Sequence, residues 1–319
     1  MNQDSNIGFI GLGNVGLKIA SRILKDNYNL FINDLEIKKC EKLISNGAIW
    51  CDDYQKISEK SSIIITCLPS QEAAKNVIEG KNGLVNYINR NHLWIEMSTT
   101  DENEMKRLSK LLENKNAEVL ESPITGGQHR AESGNISILV SGKRKNFDRA
   151  FKLLSTIGHE ILFCGKIGNA STLKVVTNFL ASTNLVSLGE ALMVCKKYGI
   201  DLRTAYYGIK ISSGNSFVHE TESKVILNGS YDVGFTMDLV YKDVNLFDKL
   251  IDKFNIPAEL SKIINKIFSK GLNKYGKRSL STSIVKILED KCNEDLRANG
   301  FPEKLIDDNS KKKGIEIKF

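Results

Sequence analysis

The chain has little of what staples a small fold together or gathers a metal ion. Its six cysteines, Cys40, Cys51, Cys67, Cys164, Cys195 and Cys292, are scattered over 319 residues. None forms a C-x-x-C pair, which excludes the usual zinc ribbons, and His92, His129, His159 and His219 are equally dispersed. No metal site is expected. Widely spaced free thiols suit a reducing compartment, and a cytoplasmic location is expected. Long hydrophobic runs are missing too. Ile63–Leu68 falls far short of the roughly 20 residues that cross a bilayer, so no membrane partner is expected. No signal peptide is read, because the first structural run opens at about Asn6. Internal repeats and low-complexity tracts are absent. The net charge of +7 is spread along the chain. Its one tight cluster, Lys311-Lys312-Lys313, reads as a solvated tail, and no nucleic-acid partner is expected. Diffuse positive charge instead favours small anionic ligands.

What is present is a regular alternation over the first 165 residues. Short apolar runs at 7–10, 30–33, 63–68, 93–97, 118–121, 136–140 and 160–164 read as strands. Amphipathic stretches between them read as helices, among them 17–26, 37–46, 102–113 and 147–157. Ser98-Thr99-Thr100-Asp101 offers N-caps for the helix at 102. Strand and helix in alternation predict an α/β fold with a doubly wound parallel sheet. Residues 171–197 are apolar nearly all round and lack proline, which predicts one long buried helix. Beyond it only helical patterns follow, at 202–212, 235–254, 258–272 and 282–292, with Pro257 suited to a helix's first turn. The expected division is a dinucleotide-binding Rossmann domain over 1–166, an all-α domain over 167–292 and a charged, weakly ordered tail over 293–319.

Gly11-Leu12-Gly13-Asn14-Val15-Gly16 is G-x-G-x-x-G, placed between a strand and a helix with an acidic residue at the end of the next strand. Gly11 permits the tight turn, Gly13 lets the backbone approach a pyrophosphate, and Gly16 allows the helix to pack on the strand. Phosphate charge then meets the helix N-terminus. Asp34, after Asn33, lies 18 residues beyond Gly16. Its carboxylate can accept from ribose hydroxyls and would repel a 2′-phosphate, so NAD is favoured over NADP. Lys174 stands in an otherwise apolar helix, where a charge is costly without a partner or a task. Asn178, four residues on, shares its face. An ammonium beside an amide can hold and polarise one oxygen. From composition alone, a lysine snorkelling from a helix end is an equal reading.

The ordered motifs widen this. Phe9–Gly16 opens the chain. Leu68-Pro69 is followed by Val77-Ile78-Glu79-Gly80 and Gly83-Leu84, and then by Ile95-Glu96-Met97-Ser98-Thr99. Ser122-Pro123-Ile124-Thr125-Gly126-Gly127 comes with Ala131 and Gly134. Gly165, Gly168, Lys174 and Asn178 follow, and Phe235 with Lys242-Asp243 closes the series. In this order they resemble the β-hydroxyacid dehydrogenase family, over roughly residues 6–290. The family includes 3-hydroxyisobutyrate dehydrogenase, tartronate semialdehyde reductase and glyoxylate or succinic semialdehyde reductases.

The resemblance implies hydride transfer between a nicotinamide cofactor and a small β-hydroxyacid or its semialdehyde. Lys174 would be the catalytic acid and base. Ser122, Thr125, Gly126, Gly127 and Asn178 would bind substrate, its carboxylate meeting the backbone of the glycine pair. Leu68, Pro69 and Thr99 would line the nicotinamide, and Lys242 would reach it from the helical domain, an ion pair with Asp243 being the other reading. Thr125 stands where serine is usual, which narrows the pocket. Arg130 offers a grip on a second carboxylate, with a solvated loop residue the plainer reading, and Ser212–Phe217 is a weak candidate for the substrate's distal end. A homodimer or homotetramer is expected. The competing readings are an imine reductase, against which Lys174 argues, and a non-catalytic dinucleotide-binding member. A 6-phosphogluconate dehydrogenase relative would need a longer helical domain.

Overall fold

The structure, a computed structural model, describes residues 3–319. It divides into two compact units, one holding residues up to Lys174 together with Asp307–Phe319, the other Val175–Ile306. The first unit follows the strand–helix alternation. In order it contains β1 (Asn6–Ile10), α1 (Asn14–Lys25), β2 (Asn29–Asn33), α2 (Glu41–Ser45), β3 (Ile49–Trp50), α3 (Tyr54–Lys60), β4 (Ile63–Thr66), α4 (Gln71–Glu79), β5 (Leu93–Glu96), α5 (Glu102–Glu113) and β6 (Glu118–Glu121). There follow β7 (Ile124–Thr125), α6 (Gly127–Ser133), β8 (Ile136–Gly142), α7 (Arg144–Ile157) and β9 (Gly158–Phe163). The long α8 (Asn169–Tyr198) then leads to α9 (Leu202–Lys210), α10 (Phe217–Asn228), α11 (Met237–Lys253), α12 (Leu260–Tyr275), α13 (Lys286–Cys292) and finally β10 (Ile315–Ile317).

The sheet runs β10-β9-β8-β6-β5-β4-β1-β2-β3, with β7 paired to β8. The six-strand segment from β3 to β6 is parallel throughout. Its strands read as unbroken apolar runs because both faces are covered. Successive side chains point to opposite faces, and the cores divide accordingly. Ile7, Phe9, Ile63, Ile65, Leu93 and Ile95 pack into one cluster, while Ile10, Ile64 and Trp94 pack into the other. Each such side chain removed from water contributes about 1.5–3 kcal/mol. Side-chain caps start the helices that follow. Asp53 accepts from Lys56 N, Ser70 from Ala73 N, and Asp101 from Asn103 N and Glu104 N. These caps fix where α3, α4 and α5 begin.

The second unit is helical, with a core that includes Leu185, Leu192, Tyr206, Ile226, Val240, Val244 and Phe268. Phe179 and Phe247 stack with ring centroids 3.9 Å apart. One side of α8 is buried, at Val175, Phe179, Leu185, Leu188 and Leu192, while Leu180 and Val194 stand exposed in the single chain. No described helix is long and apolar enough to cross a membrane.

Three expectations need correction. The residues after 293 are not a weakly ordered tail. Leu296 is fully buried, the Arg297 guanidinium lies 2.9 Å from the buried Glu289 carboxylate, and residues 307–319 return to the sheet, where β10 lies parallel on β9. Pro257 lies ahead of its helix, because α12 starts at Leu260. No helix is expected between 212 and 235, and α10 occupies Phe217–Asn228. Ser216 accepts from His219 N at 3.0 Å and opens α10.

On α10 the Glu222 carboxyl is enclosed, and its Oε2 has no hydrogen-bond partner. Burial pushes it from 4.5 up to about 8. Stability linked to this group is fully present below pH 4.5 and is lost as the pH rises through 8. Glu222→Gln is expected to flatten that decline, gaining about 4 kcal/mol over the wild type at pH 8 in urea denaturation. Parallel stability curves from pH 4 to 9 would contradict it.

Candidate active site

The expected cofactor and substrate residues of the first unit fall at the carboxyl ends of four adjacent strands. Gly11–Gly16 follows β1, Leu68-Pro69 follows β4, Ser98-Thr99 follows β5 and Ser122–Gly127 follows β6. β1 lies between β2 and β4, so strand order reverses there, and ligands of open α/β sheets bind beside that point.

The glycine turn is fixed by close approach. Gly11 has φ +93°, and a Cβ on it would lie 2.4 Å from Cys67 O. A Cβ on Gly16 would lie 2.1 Å from Gly11 O. Gly13 differs, since a Cβ there would meet no atom within 4 Å. It caps α1 without a side-chain hydrogen bond, leaving an open backbone cradle at the start of a 12-residue helix. That arrangement fits a dinucleotide pyrophosphate. Asn14 is exposed beside it, while Leu12 and Val15 turn their side chains toward the core.

Asp34 sits against the same turn. Its Oδ2 accepts from Leu12 N at 2.6 Å and its Oδ1 from Glu36 N at 3.0 Å. The carboxylate is thereby oriented by the loop that would carry the pyrophosphate. Asn33 has an internal part. Its Nδ2 donates to Cys51 O and its carbonyl accepts from Gly11 N.

A buried carboxylate at the end of β5 organises the next loops. Glu96, 1% exposed, accepts from Thr66 Oγ1 at 2.8 Å and from both the N–H and the hydroxyl of Ser98. Ser98 Oγ in turn accepts from Leu68 N at 2.7 Å. One side chain thus ties Leu68-Pro69 to Ser98-Thr99. At the end of β6, Glu121 is also 1% exposed. It accepts from Gly168 N at 2.6 Å, Ala170 N at 3.0 Å and Ser171 Oγ at 2.6 Å. These three donors are the first turn of α8, and Lys174 lies one turn further on. Lys174 is buried, 7% exposed. Glu121 therefore joins the catalytic-helix candidate to the strand that carries Ser122–Gly127. Burial pushes its carboxyl up, against the opposing pull of the Ser171, Gly168 and Ala170 hydrogen bonds.

In the Ser122–Gly127 loop, Gly126 and Gly127 have φ +117° and +85°, a left-handed pair that side chains disfavour. Thr125 is half-buried and pairs across to Ser137. Ser122 is fully buried, and its hydroxyl has no hydrogen-bond partner in the structure.

In the second unit, Asn178 Nδ2 donates to Asp243 Oδ2 at 2.6 Å, and Lys242 Nζ lies 3.3 Å from Asp243 Oδ1. Asp243 is 2% exposed and orients the amide of Asn178. Glu96, Glu121 and the Asn178–Asp243 contact were not read from the sequence as site features. The signal available was an acid closing an apolar strand run, in Leu93-Trp94-Ile95-Glu96 and Val119-Leu120-Glu121. No group of three or more His, Cys, Asp or Glu side chains arranged for a metal occurs among the described residues.

Residues 6–165 match the family described as the NAD binding domain of 6-phosphogluconate dehydrogenase. Residues 168–288 match that described as the NAD-binding of NADP-dependent 3-hydroxyisobutyrate dehydrogenase. The chain is 30% identical over 290 residues to 2-(hydroxymethyl)glutarate dehydrogenase of Eubacterium barkeri, covering 91% of this chain and 96% of that protein. The chain belongs to the β-hydroxyacid dehydrogenase family. Mitochondrial 3-hydroxyisobutyrate dehydrogenase of Rattus norvegicus is 29% identical, over 88% of this chain and 87% of its own. Among solved structures, Mycobacterium tuberculosis 3-hydroxyisobutyrate dehydrogenase with L-serine has the same fold, with a TM-score of 0.79 at 20% identity, covering 89% of this chain and 98% of that one. As a member of the family the chain is an NAD(P)-dependent hydroxyacid dehydrogenase, and its small-molecule cofactor is a nicotinamide dinucleotide.

Glu121→Ala strands Gly168 N and Ser171 Oγ at the start of α8, Ala170 N keeping Ser141 Oγ at 3.0 Å, and a loss of about 2–4 kcal/mol is expected in chemical denaturation. Glu121→Gln keeps one accepting oxygen and can donate to Ser171 Oγ, so it should retain most of the stability. Equal losses in the two variants would refute the anchoring role.

Proposed function

We propose that this dehydrogenase uses NAD in preference to NADP and acts on a small β-hydroxyacid or its semialdehyde through its carboxylate, with Lys174 as general acid and base. The observation that carries the reading is a buried lysine on a helix whose first turn is fastened, through Glu121, to the strand leading into the Thr125–Gly127 loop. A buried ammonium is costly unless it is used or paired, and here it stands one helical turn from a side-chain anchor that fixes its direction.

The bound nicotinamide supplies or takes up the hydride. The chain's own residues do the rest. Lys174 as ammonium polarises the substrate carbonyl and passes its proton to the oxygen as negative charge develops there. In the opposite direction neutral Lys174 takes the hydroxyl proton. Asn178 donates one Nδ2 hydrogen to Asp243 and the other to the same substrate oxygen. Gly126 and Gly127 bring backbone N–H groups within reach of a carboxylate, with the Thr125 hydroxyl beside them. For the cofactor, the Asp34 carboxylate favours ribose hydroxyls over a 2′-phosphate, and Glu36 adds negative charge two residues on.

Lys174→Ala should lower kcat by about 10²–10⁴ while NADH binding, read by fluorescence titration, changes less than about twofold. A panel of small hydroxyacids and semialdehydes, followed by NADH absorbance, should show turnover for carboxylate-bearing members and a higher kcat/KM with NADH than with NADPH. A variant with near-normal kcat, or a preference for NADPH, would overturn the respective assignment.

Assembly as a homodimer or homotetramer belongs to the same proposal. Leu180 and Val194 on α8 are 53% and 69% exposed in the single chain, a large apolar exposure for one helix. Size exclusion at two concentrations should give a mass above 35.6 kDa; a monomer at both would refute it.

A further inference from the structure

The two family matches end at residues 165 and 288, so the last 31 residues of the 319 lie outside both. Residues 307–319 of that extension belong to the sheet unit, where they form a continuous series of contacts. Asp307 Oδ2 accepts from Ser133 Oγ at 2.6 Å and from Asn135 Nδ2 at 3.0 Å. Asn135 Oδ1 accepts from Lys312 N at 2.8 Å. Lys311 pairs with Asp26 at 3.0 Å, and Lys313 O bonds the His159 ring nitrogen at 2.8 Å. At Gly314 a Cβ would lie 2.6 Å from Ser155 Cβ, so only glycine lets the segment pass. β10 then pairs with β9, and Arg144 grips Glu316 with two bonds of 2.6 and 3.0 Å.

Ser133 and Asn135 are not arbitrary anchor points. Ser133 ends α6, the helix that begins at Gly127. Seven residues make a helix too short to hold itself in place. Its amino end is entered through two glycines of positive φ, which contribute no stiffness. What fixes α6 must therefore act on its flank and its far end. The Lys18–Glu132 ion pair does the first, and Asp307 does the second. Partial burial raises the Asp307 carboxyl, yet the hydrogen bonds from Ser133, Asn135 and Asn309 outweigh it and hold the group well below the usual carboxylate range.

We propose that the C-terminal extension is a brace for the substrate loop, in which Asp307 is a positioning residue that holds the far end of α6 and thereby sets Thr125–Gly127. The proposal rests on the reading of that loop as the substrate-carboxylate site. It assigns a task to a segment that the family matches do not cover, and it separates substrate positioning from cofactor binding. The brace grips α6, the β8–β9 edge and, through Lys311, Asp26 at the far end of α1, whereas the glycine turn at the near end of α1 and Asp34 are held by bonds of their own.

The test uses the full-length enzyme with Asp307→Ala and, from the opposite partner, Asn135→Ala. Hydrogen exchange of the peptide spanning 124–135 should rise about tenfold in both variants, with the peptide spanning 6–20 unchanged. KM for succinic semialdehyde, or for whichever semialdehyde the wild type turns over best, should rise about tenfold, with KM for NADH within about twofold. The double variant should lose less than the sum of the two single ones, because the Asn135–Asp307 contact is common to both. Unchanged exchange at 124–135 overturns the brace. Raised exchange with an unchanged semialdehyde KM overturns the substrate-loop reading, and with it the purpose assigned to the brace. An equal rise in both KM values would show a general structural role instead.

Discussion

The carboxylate of Glu121 is where the sheet and the catalytic-helix candidate meet. Without it the entry to α8 would present Gly168 N–H and the Ser171 hydroxyl to a dry interior, and each unmade bond costs about 1–3 kcal/mol; Ala170 N would keep Ser141 Oγ. With it, three donors converge on one side chain at the end of β6. The cost of burying the charge is offset by that convergence, since a carboxylate surrounded by N–H and O–H donors keeps much of what water would give it. The geometric consequence is larger than the energetic one. β6 runs straight into Ser122–Gly127, and α8 reaches Lys174 one turn after the anchor. A single group therefore sets the spacing between the two parts of the proposed site.

Glu96 repeats the arrangement one strand over. Its bonds to Thr66 and Ser98 draw together the ends of β4 and β5, and Ser98 passes the constraint on to Leu68 N. Both glutamates stand where an all-apolar strand meets its loop. The strand interior is held by packing, which is tolerant of small shifts. The loop end is held by directional bonds, which are not. Sites built at strand ends gain their precision from this change of interaction type along a few residues of chain.

This division also explains what was legible in the sequence. Parallel strands covered on both faces require unbroken apolar runs, so Ile63–Thr66 and Leu93–Glu96 announce themselves. The glycines of 11–16 do so too, because two of the three are demanded by contacts of 2.4 and 2.1 Å to neighbouring backbone. Lys174 is conspicuous as a charge in an apolar helix. By contrast α10 hides because two of its buried positions are His219 and Ser223, which blur the helical period. β10 hides because three residues, Ile-Glu-Ile, carry no periodic signal, and its partner β9 lies some 150 residues earlier in the chain. Asp307 reads as one more charge in a charged tail until Ser133 and Asn135 are seen against it.

Asp34 shows how the legible and the illegible combine. Its place at the end of β2 is readable, and so is the expectation that its carboxylate accepts from ribose hydroxyls. The sequence does not say that its two oxygens already accept from Leu12 N and Glu36 N. Those bonds hold the carboxylate in one orientation before any ligand arrives, so little side-chain entropy remains to be lost on binding. They also tie the position of the acid to the glycine turn itself. A change in the turn would move the phosphate cradle and the ribose acceptor together, which makes cofactor recognition a property of the β1–α1 loop and the β2 end acting as one piece.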